Sequence, residues 1–397
     1  MAHSVRMNIK NPRYQPKDKK MKLFCRIVFL ALIVFSCDSG EKRNVEIEGY
    51  LKSNHLSPKD YVISKFVDHD YVFVGEQHRI KHEVEFVSAM IPELYKNGIT
   101  NLAIEYGVSS NQPMLDSLLS MKQWDQDFAY QVASGGFFIT WGYQEYIDIL
   151  KRAWEVNQTI PKGQKRFRIV YLNTDYFPEK RGKAKYGGVD PDMHMSKLLQ
   201  KEVIDKNEKA LIYSGMNHAF TQFHQPFYRS KKGKSFIRYD KRLGNLIHKE
   251  YPDKTFTIFL HAPWESRKRN SRRMVRPVNG VIDVCMKYLE NKPMGVDING
   301  TPLGQLKSSD SFYSIADEYV TFGDICDGYI FLKPYSEFER VSVANNFYTK
   351  ENLDRIRKYY IGIGISEKKV NSWTKETIDR IISDEANFLI KGAKRLK

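Results

Sequence analysis

The stretch Tyr71-Val-Phe-Val-Gly-Glu-Gln-His-Arg-Ile-Lys-His-Glu-Val-Glu-Phe86 sets the reading of this chain. It opens on an apolar run containing β-branched valines, which suits a buried strand. Gly75 ends the run, and Glu76 and His78 follow at once. On a helix, His82 would lie one turn after His78, with Glu85 roughly one turn further. Two readings stand open: ligating or acid/base side chains gathered at a strand end, or a solvated helix face that carries His and Glu.

Similar apolar runs recur at Asn101 to Glu105, Phe167 to Leu172, Ala210 to Tyr213 and Thr255 to Leu260, with weaker ones at Gly280 to Val284 and Gly328 to Leu332. Between them, Ile80 to Lys96, Gln144 to Val156, Met195 to Lys206 and Leu243 to His248 carry apolar residues at helical spacing. Pro92 predicts a kink or early end in the first of these. Such alternation predicts an α/β fold, a mainly parallel sheet flanked by helices. Glu351 to Tyr359 and Lys375 to Ile390 add C-terminal helices with polar faces, read as a covering extension. Gly362-Ile-Gly-Ile365 lacks the third glycine of a dinucleotide fingerprint and reads as a turn.

Ligands of parallel sheets bind outside the carboxyl ends of the strands. Five runs end in suitable groups: Glu76 and His78; Glu105; Asn173 and Asp175; Gly215-Met-Asn-His218; and His261. Each has a plainer reading: an ion-paired Glu105, a turn-capping Asp175, an exposed His218, a core His261 before Pro263. Together they suit either a three-ligand zinc or manganese centre that activates water, or a metal-free general base with an orienting carboxylate. The sequence has no G-x-S-x-G, H-E-x-x-H or P-loop, which disfavours serine-hydrolase, zincin and phosphate-loop mechanisms.

Gly75-Glu-Gln-His78, Ile104-Glu105 and Gly215-Met-Asn-His218 resemble the superfamily that groups erythromycin esterases, ChaN-type haem-binding lipoproteins and the Tiki/TraB metalloproteases. The resemblance covers about Tyr71 to His261. It implies that Glu76, His78, Glu105 and His218 form the site: ligating a divalent metal as in the Tiki-like branch, activating water as in the esterases, or serving a fold that carries a ligand, as in the haem-binding branch. Glu76 stands where the Tiki-like pattern has a small residue, which brings the chain nearer the other two branches. The region from Asn279 onward has no counterpart in this pattern.

At 397 residues and 42% hydrophobic the chain can bury a large core, and no run of about 20 apolar residues suggests a multi-span membrane protein. Residues 1–36 read as a lipoprotein-type signal peptide: Lys19-Lys20-Met21-Lys22 is basic, Leu23 to Phe35 is apolar, and Cys37 is the expected lipidation site. Met21 offers an alternative start. Removing 1–36 lowers the net charge from +16 to +9. Residues 37–60 are expected to be a tether, 61–348 the α/β domain and 349–397 the helical extension. Cys285 and Cys326 end apolar runs and read as buried thiols.

Two basic segments, Arg229 to Arg242 and Arg267 to Arg276, follow the fourth and fifth runs, suggesting either an anion-attracting rim or a solvated loop pair. Trp124 to Tyr146 is dense in aromatics, suiting either an apolar ligand wall or core under a long loop. The expectation is an exported, lipid-anchored envelope protein that hydrolyses an ester or amide of a small, anionic molecule or peptide. The alternative is capture of haem or another anionic ligand without turnover. Nucleic acid is not an expected partner.

Overall fold

A computed structural model describes residues 42–177, 179–180, 182–231, 234–268 and 273–396. The signal segment, Cys25 and Cys37 lie outside them, as do 269–272 of the second basic segment. The chain divides into units 1–47 and 48–397. Residues 42–47 are helical, and all the elements named below belong to the second unit.

The strands are β1 (Tyr71–Glu76), β2 (Asn101–Val108), β3 (Arg168–Asn173), β4 (Ala210–Gly215), β5 (Pro226–Lys231), β6 (Lys234–Tyr239), β7 (Thr255–Leu260), β8 (Trp264–Glu265), β9 (Met274–Val275), β10 (Met294–Asp297) and β11 (Gly328–Phe331). Seven of them form one sheet in the order β10-β11-β7-β1-β4-β2-β3. Every pairing in it is parallel except that of edge strand β10 with β11. β5 and β6 form a separate hairpin, and β8 pairs with β9. The α/β expectation is met.

Two features of this sheet place the site. First, β4 enters between β1 and β2, so groups distant in sequence meet at neighbouring carboxyl ends. Second, strand residues alternate faces, so Glu76 continues the row of Val72 and Val74, and Tyr213 that of Leu211. These four apolar and aromatic residues share the main core cluster with Leu102, Ile104 and the buried faces of helices Lys81–Lys96 and Gln144–Thr159. Helices Pro191–Glu202 and Leu243–Glu250 pack against each other, with Met195, Leu199 and Leu243 fully buried.

Several elements differ from expectation. Gly280 to Val284, read as a weak strand, is the start of helix Val281–Tyr288. Gly280 precedes it with φ 81°, Ile282, Cys285 and Met286 are buried at helical spacing, and Val284 stays exposed. Pro92 neither ends nor interrupts its helix, because it lies on the solvent side, where water can serve the carbonyl it leaves without a partner. His78 precedes that helix, which starts at Lys81, so His78 and His82 share no helix face. Within the stretch read as a tether, residues 48–54 are helical, and a further helix, Pro58–Lys65, capped by Ser57, starts before its expected end at 60.

The C-terminal helices Lys350–Gly362 and Lys375–Lys394 contribute Ile356, Tyr360, Ile378, Ile382 and Ala386 to the main core, so they are more than a cover. The aromatic segment resolves the same way. Phe138, Trp141, Tyr143 and Tyr146 are core residues. Cys285 and Cys326 are buried and form no disulfide. Among the described residues no helix is long and apolar enough to cross a membrane.

Candidate active site

Glu76, the last residue of β1, is buried, and its polar needs are met by three donors. Tyr146 donates its hydroxyl to Oε1 at 2.7 Å, Tyr213 donates to Oε2, and His78 Nδ1 lies 2.7 Å from Oε1. Burial first, and then the nearby Glu76, push both phenols well above the ordinary tyrosine range, so they keep their protons and act as donors. With acceptors on the Glu76 side, His78 carries its proton on Nδ1 and leaves Nε2 as a base. The ring meets Trp141 edge-on at 4.9 Å, which restricts its rotation.

His78 Nε2 lies over Gly215 at the end of β4. A Cβ there would come within 2.7 Å of Nε2, so only glycine admits the imidazole. The Gly215 N–H donates to Glu105 Oε2 at 2.8 Å. Glu105 falls in an irregular stretch of β2, between Ile104 and Val108, where the register with β3 shifts. Such irregularities re-aim side chains at strand ends.

Glu105 Oε1 lies 3.2 Å from His218 Nε2, and Asp192 Oδ1 lies 2.6 Å from His218 Nδ1. Burial disfavours charge on this imidazole, but the two carboxylates outweigh it and raise it to about 9. His218 is therefore a cation at neutral pH, donating from both nitrogens. Burial likewise opposes charge on Asp192, yet His218, Arg242 and the Leu243 N–H hold it below the ordinary carboxylate range.

His78 and His218 line one cavity of about 300 Å³, with Gln77, Asn217, Phe227 and Phe312 in its wall. His218 and Glu105 also line a second, of about 830 Å³, bounded by the hairpin β5–β6 and the start of helix Pro191–Glu202. Four of the expected site residues, Glu76, His78, Glu105 and His218, thus meet at one cleft. Asp175 does not reach it; it accepts from Ser110, while Asn173 lines the larger cavity. His261 is buried among Tyr329, Phe331, Tyr335 and Phe338. Burial and the neighbouring His82 lower it to about 3, so it is neutral. His82 is also buried and lowered to about 3, and Glu85 is exposed beside Lys81.

The arrangement does not suit a metal ion. Both ring nitrogens of His218 are taken by carboxylate contacts, Nε2 by Glu105 at 3.2 Å and Nδ1 by Asp192 at 2.6 Å. Among the described residues, no group of three or more His, Cys, Asp or Glu side chains is placed to hold a metal. The expected ligands His78, Glu105 and His218 share the cleft without forming a coordination set.

The rim arginines are also engaged internally. Arg229 and Arg238 both bind Asp240, at 2.6 and 2.5 Å, and Arg242 pairs with Asp192 while resting on the Phe227 ring. Arg276 of the second segment donates to the Leu396 carbonyl.

Sequence reasoning missed Asp192, Tyr146 and Tyr213. Asp190-Pro191-Asp192 reads as a helix start, and both tyrosines occupy apolar positions of periodic segments, so none carried a separate signal.

No protein-family model matches the chain, and no curated protein matches it. Solved structures do. A protein described as a succinoglycan biosynthesis protein has a similar fold at 9% identity, over 77% of this chain and 98% of that one, with TM-score 0.51. An erythromycin esterase mutant in its open conformation matches at 8% identity over 72% and 94%, TM-score 0.46. The haem-binding ChaN of Campylobacter jejuni matches at 13% over 52% and 86%, TM-score 0.34. At such identities the likeness concerns fold alone.

Proposed function

We propose that the chain is a hydrolase of ester or amide bonds. The observation that carries this is the Glu76–His78 pair, made through Nδ1, at the wall of the cavity that the cationic His218 also lines. Glu76, fixed by two tyrosines, holds the His78 ring and its tautomer. His78 Nε2 takes a proton from water as the water oxygen bonds to the substrate carbonyl carbon. The negative charge that develops on the carbonyl oxygen is favoured by the His218 imidazolium. When the carbon–oxygen or carbon–nitrogen bond breaks, the proton on His78 passes to the leaving alcohol or amine. Glu105 and Asp192 keep His218 charged and in place.

The test is turnover of 4-nitrophenyl acetate by the purified chain beside His78→Ala and Glu76→Gln. A loss of about 10²- to 10⁴-fold in kcat is expected for His78→Ala. Equal turnover in wild type and His78→Ala would sink the proposal. A second reading, haem capture, keeps one point of support: His78 lines a cavity with Phe227 and Phe312 in its wall. Haem titration separates the two, since a Soret shift lost in His78→Ala, without esterase activity, would favour capture. Export with a lipid anchor at Cys37 completes the proposal, and Cys37→Ser should move the protein out of the detergent phase.

A further inference from the structure

Resting on the hydrolase reading, we infer that the substrate is an ester joining a small acyl group to a large, neutral, polyhydroxylated alcohol of the carbohydrate type. His218 lines both cavities, which differ in size. The smaller, about 300 Å³, holds His78 with Phe227, Phe312 and Met216 beside the polar Gln77, Asn217, Gln225 and Glu265, room for a short acyl group next to the base. The larger, about 830 Å³, falls in the range that encloses whole small-molecule ligands.

Its lining is dense in charge yet balanced. Glu105, Asp190, Asp192 and Asp240 stand against Arg238, Lys241, Arg242 and the His218 imidazolium. The pairs are made within the wall: Asp240 holds Arg238, and Asp192 holds Arg242 and His218. An anionic ligand would be set against four acidic groups, and a cationic one against four basic ones. Either would bring a net charge into a cleft that supplies no net counter-charge. A neutral polyol avoids this cost. Each hydroxyl both donates and accepts, so it donates to the carboxylates and accepts from the guanidinium and ammonium groups. Tyr186 adds an aromatic face to the same lining. This departs from the anionic substrate expected from the basic segments, where Arg229, Arg238, Arg242 and Arg276 have partners of their own.

The test compares kcat/KM for three esters. These are 4-nitrophenyl acetate, methyl 2-O-acetyl-xyloside as the neutral sugar ester with its other hydroxyls free, and methyl 2-O-acetyl-glucuronoside with a free carboxylate. The neutral sugar ester is expected to exceed the glucuronoside by about tenfold or more, equivalent to roughly 1.4 kcal/mol. In Asp240→Asn, which releases Arg229 and Arg238, the ratio should shift toward the anionic ester by a similar factor. If 4-nitrophenyl acetate is hydrolysed but the neutral sugar ester does not exceed the glucuronoside, the substrate inference is overturned and the hydrolase reading survives. If none of the three is turned over, the hydrolase reading fails and takes the inference with it.

Discussion

At His218 burial and charge pull in opposite directions, and the carboxylates of Glu105 and Asp192 win, raising it to about 9. An imidazole raised above its ordinary 6.5 gives a stability contribution that is complete below that value and lost as pH rises through about 9. Removing Asp192 takes away one source of the rise, so the His218 transition should move to lower pH in Asp192→Asn. Gly215 sets a second constraint. A methyl group there would meet His78 at 2.6 to 2.7 Å and push the imidazole off its position. Gly215→Ala should lose on the order of 10²-fold in kcat while keeping wild-type circular dichroism, because small misplacements of a catalytic group are costly. Unchanged kcat would mean that His78 does not act from this position. Of the cleft residues, Glu76, His78, Glu105 and His218 were legible in sequence because polar groups at the ends of apolar runs break the pattern. Asp192 was not, since its neighbourhood matches an ordinary helix start. Tyr146 and Tyr213 were hidden because a tyrosine fits a core pattern whether or not its hydroxyl has a task.

The turn from β1 into its helix is held by elements from the far end of the chain. Arg79 has φ 73°, a left-handed conformation that costs a non-glycine residue about 1 kcal/mol or more. Its N–H donates to Tyr146, its carbonyl accepts from Val341, and its guanidinium lies over Trp141 and reaches Glu385 at 3.4 Å. Tyr143 donates to the Ile382 carbonyl of that same C-terminal helix. Ile382→Ala should therefore cost about 2–5 kcal/mol in chemical denaturation, the range for a fully buried core isoleucine. A cost under about 0.5 kcal/mol would show the helix to be peripheral. The apolar periods made the five main parallel strands and the principal helices readable. β4's insertion between β1 and β2 was not readable, because period and propensity carry no information about which strands become neighbours. The run at Gly280 misled because a five-residue stretch with Val281, Ile282 and Val284 as its apolar members fits both periods, and only Gly280's backbone and the burial of Ile282, Cys285 and Met286 decide for helix.

Across the whole molecule, two neutral histidines lie buried beside the sheet. Burial, aided by Lys333, lowers His82 to about 3, and neither of its ring nitrogens has a protein partner. Burial, aided by His82, does the same to His261. Below pH 6.5 the unfolded chain takes up protons that the folded chain refuses, so stability should fall by about 1.4 kcal/mol per pH unit for each histidine until about pH 3. His82→Phe leaves no hydrogen bond broken and should remove one histidine's share of that slope, read from urea unfolding at neutral and mildly acid pH. An unchanged slope would place His82 elsewhere than in the core. The central claim, that His78 acts as the base opposite a cationic His218 in hydrolysis, is tested most directly by kcat/KM for 4-nitrophenyl acetate between about pH 6 and about pH 10, in wild type and Asp192→Asn. The expected wild-type profile falls as pH rises through about 9, and the fall begins at lower pH in the variant. A profile that stays level to about pH 10 in wild type, or falls at the same pH in both, would contradict it.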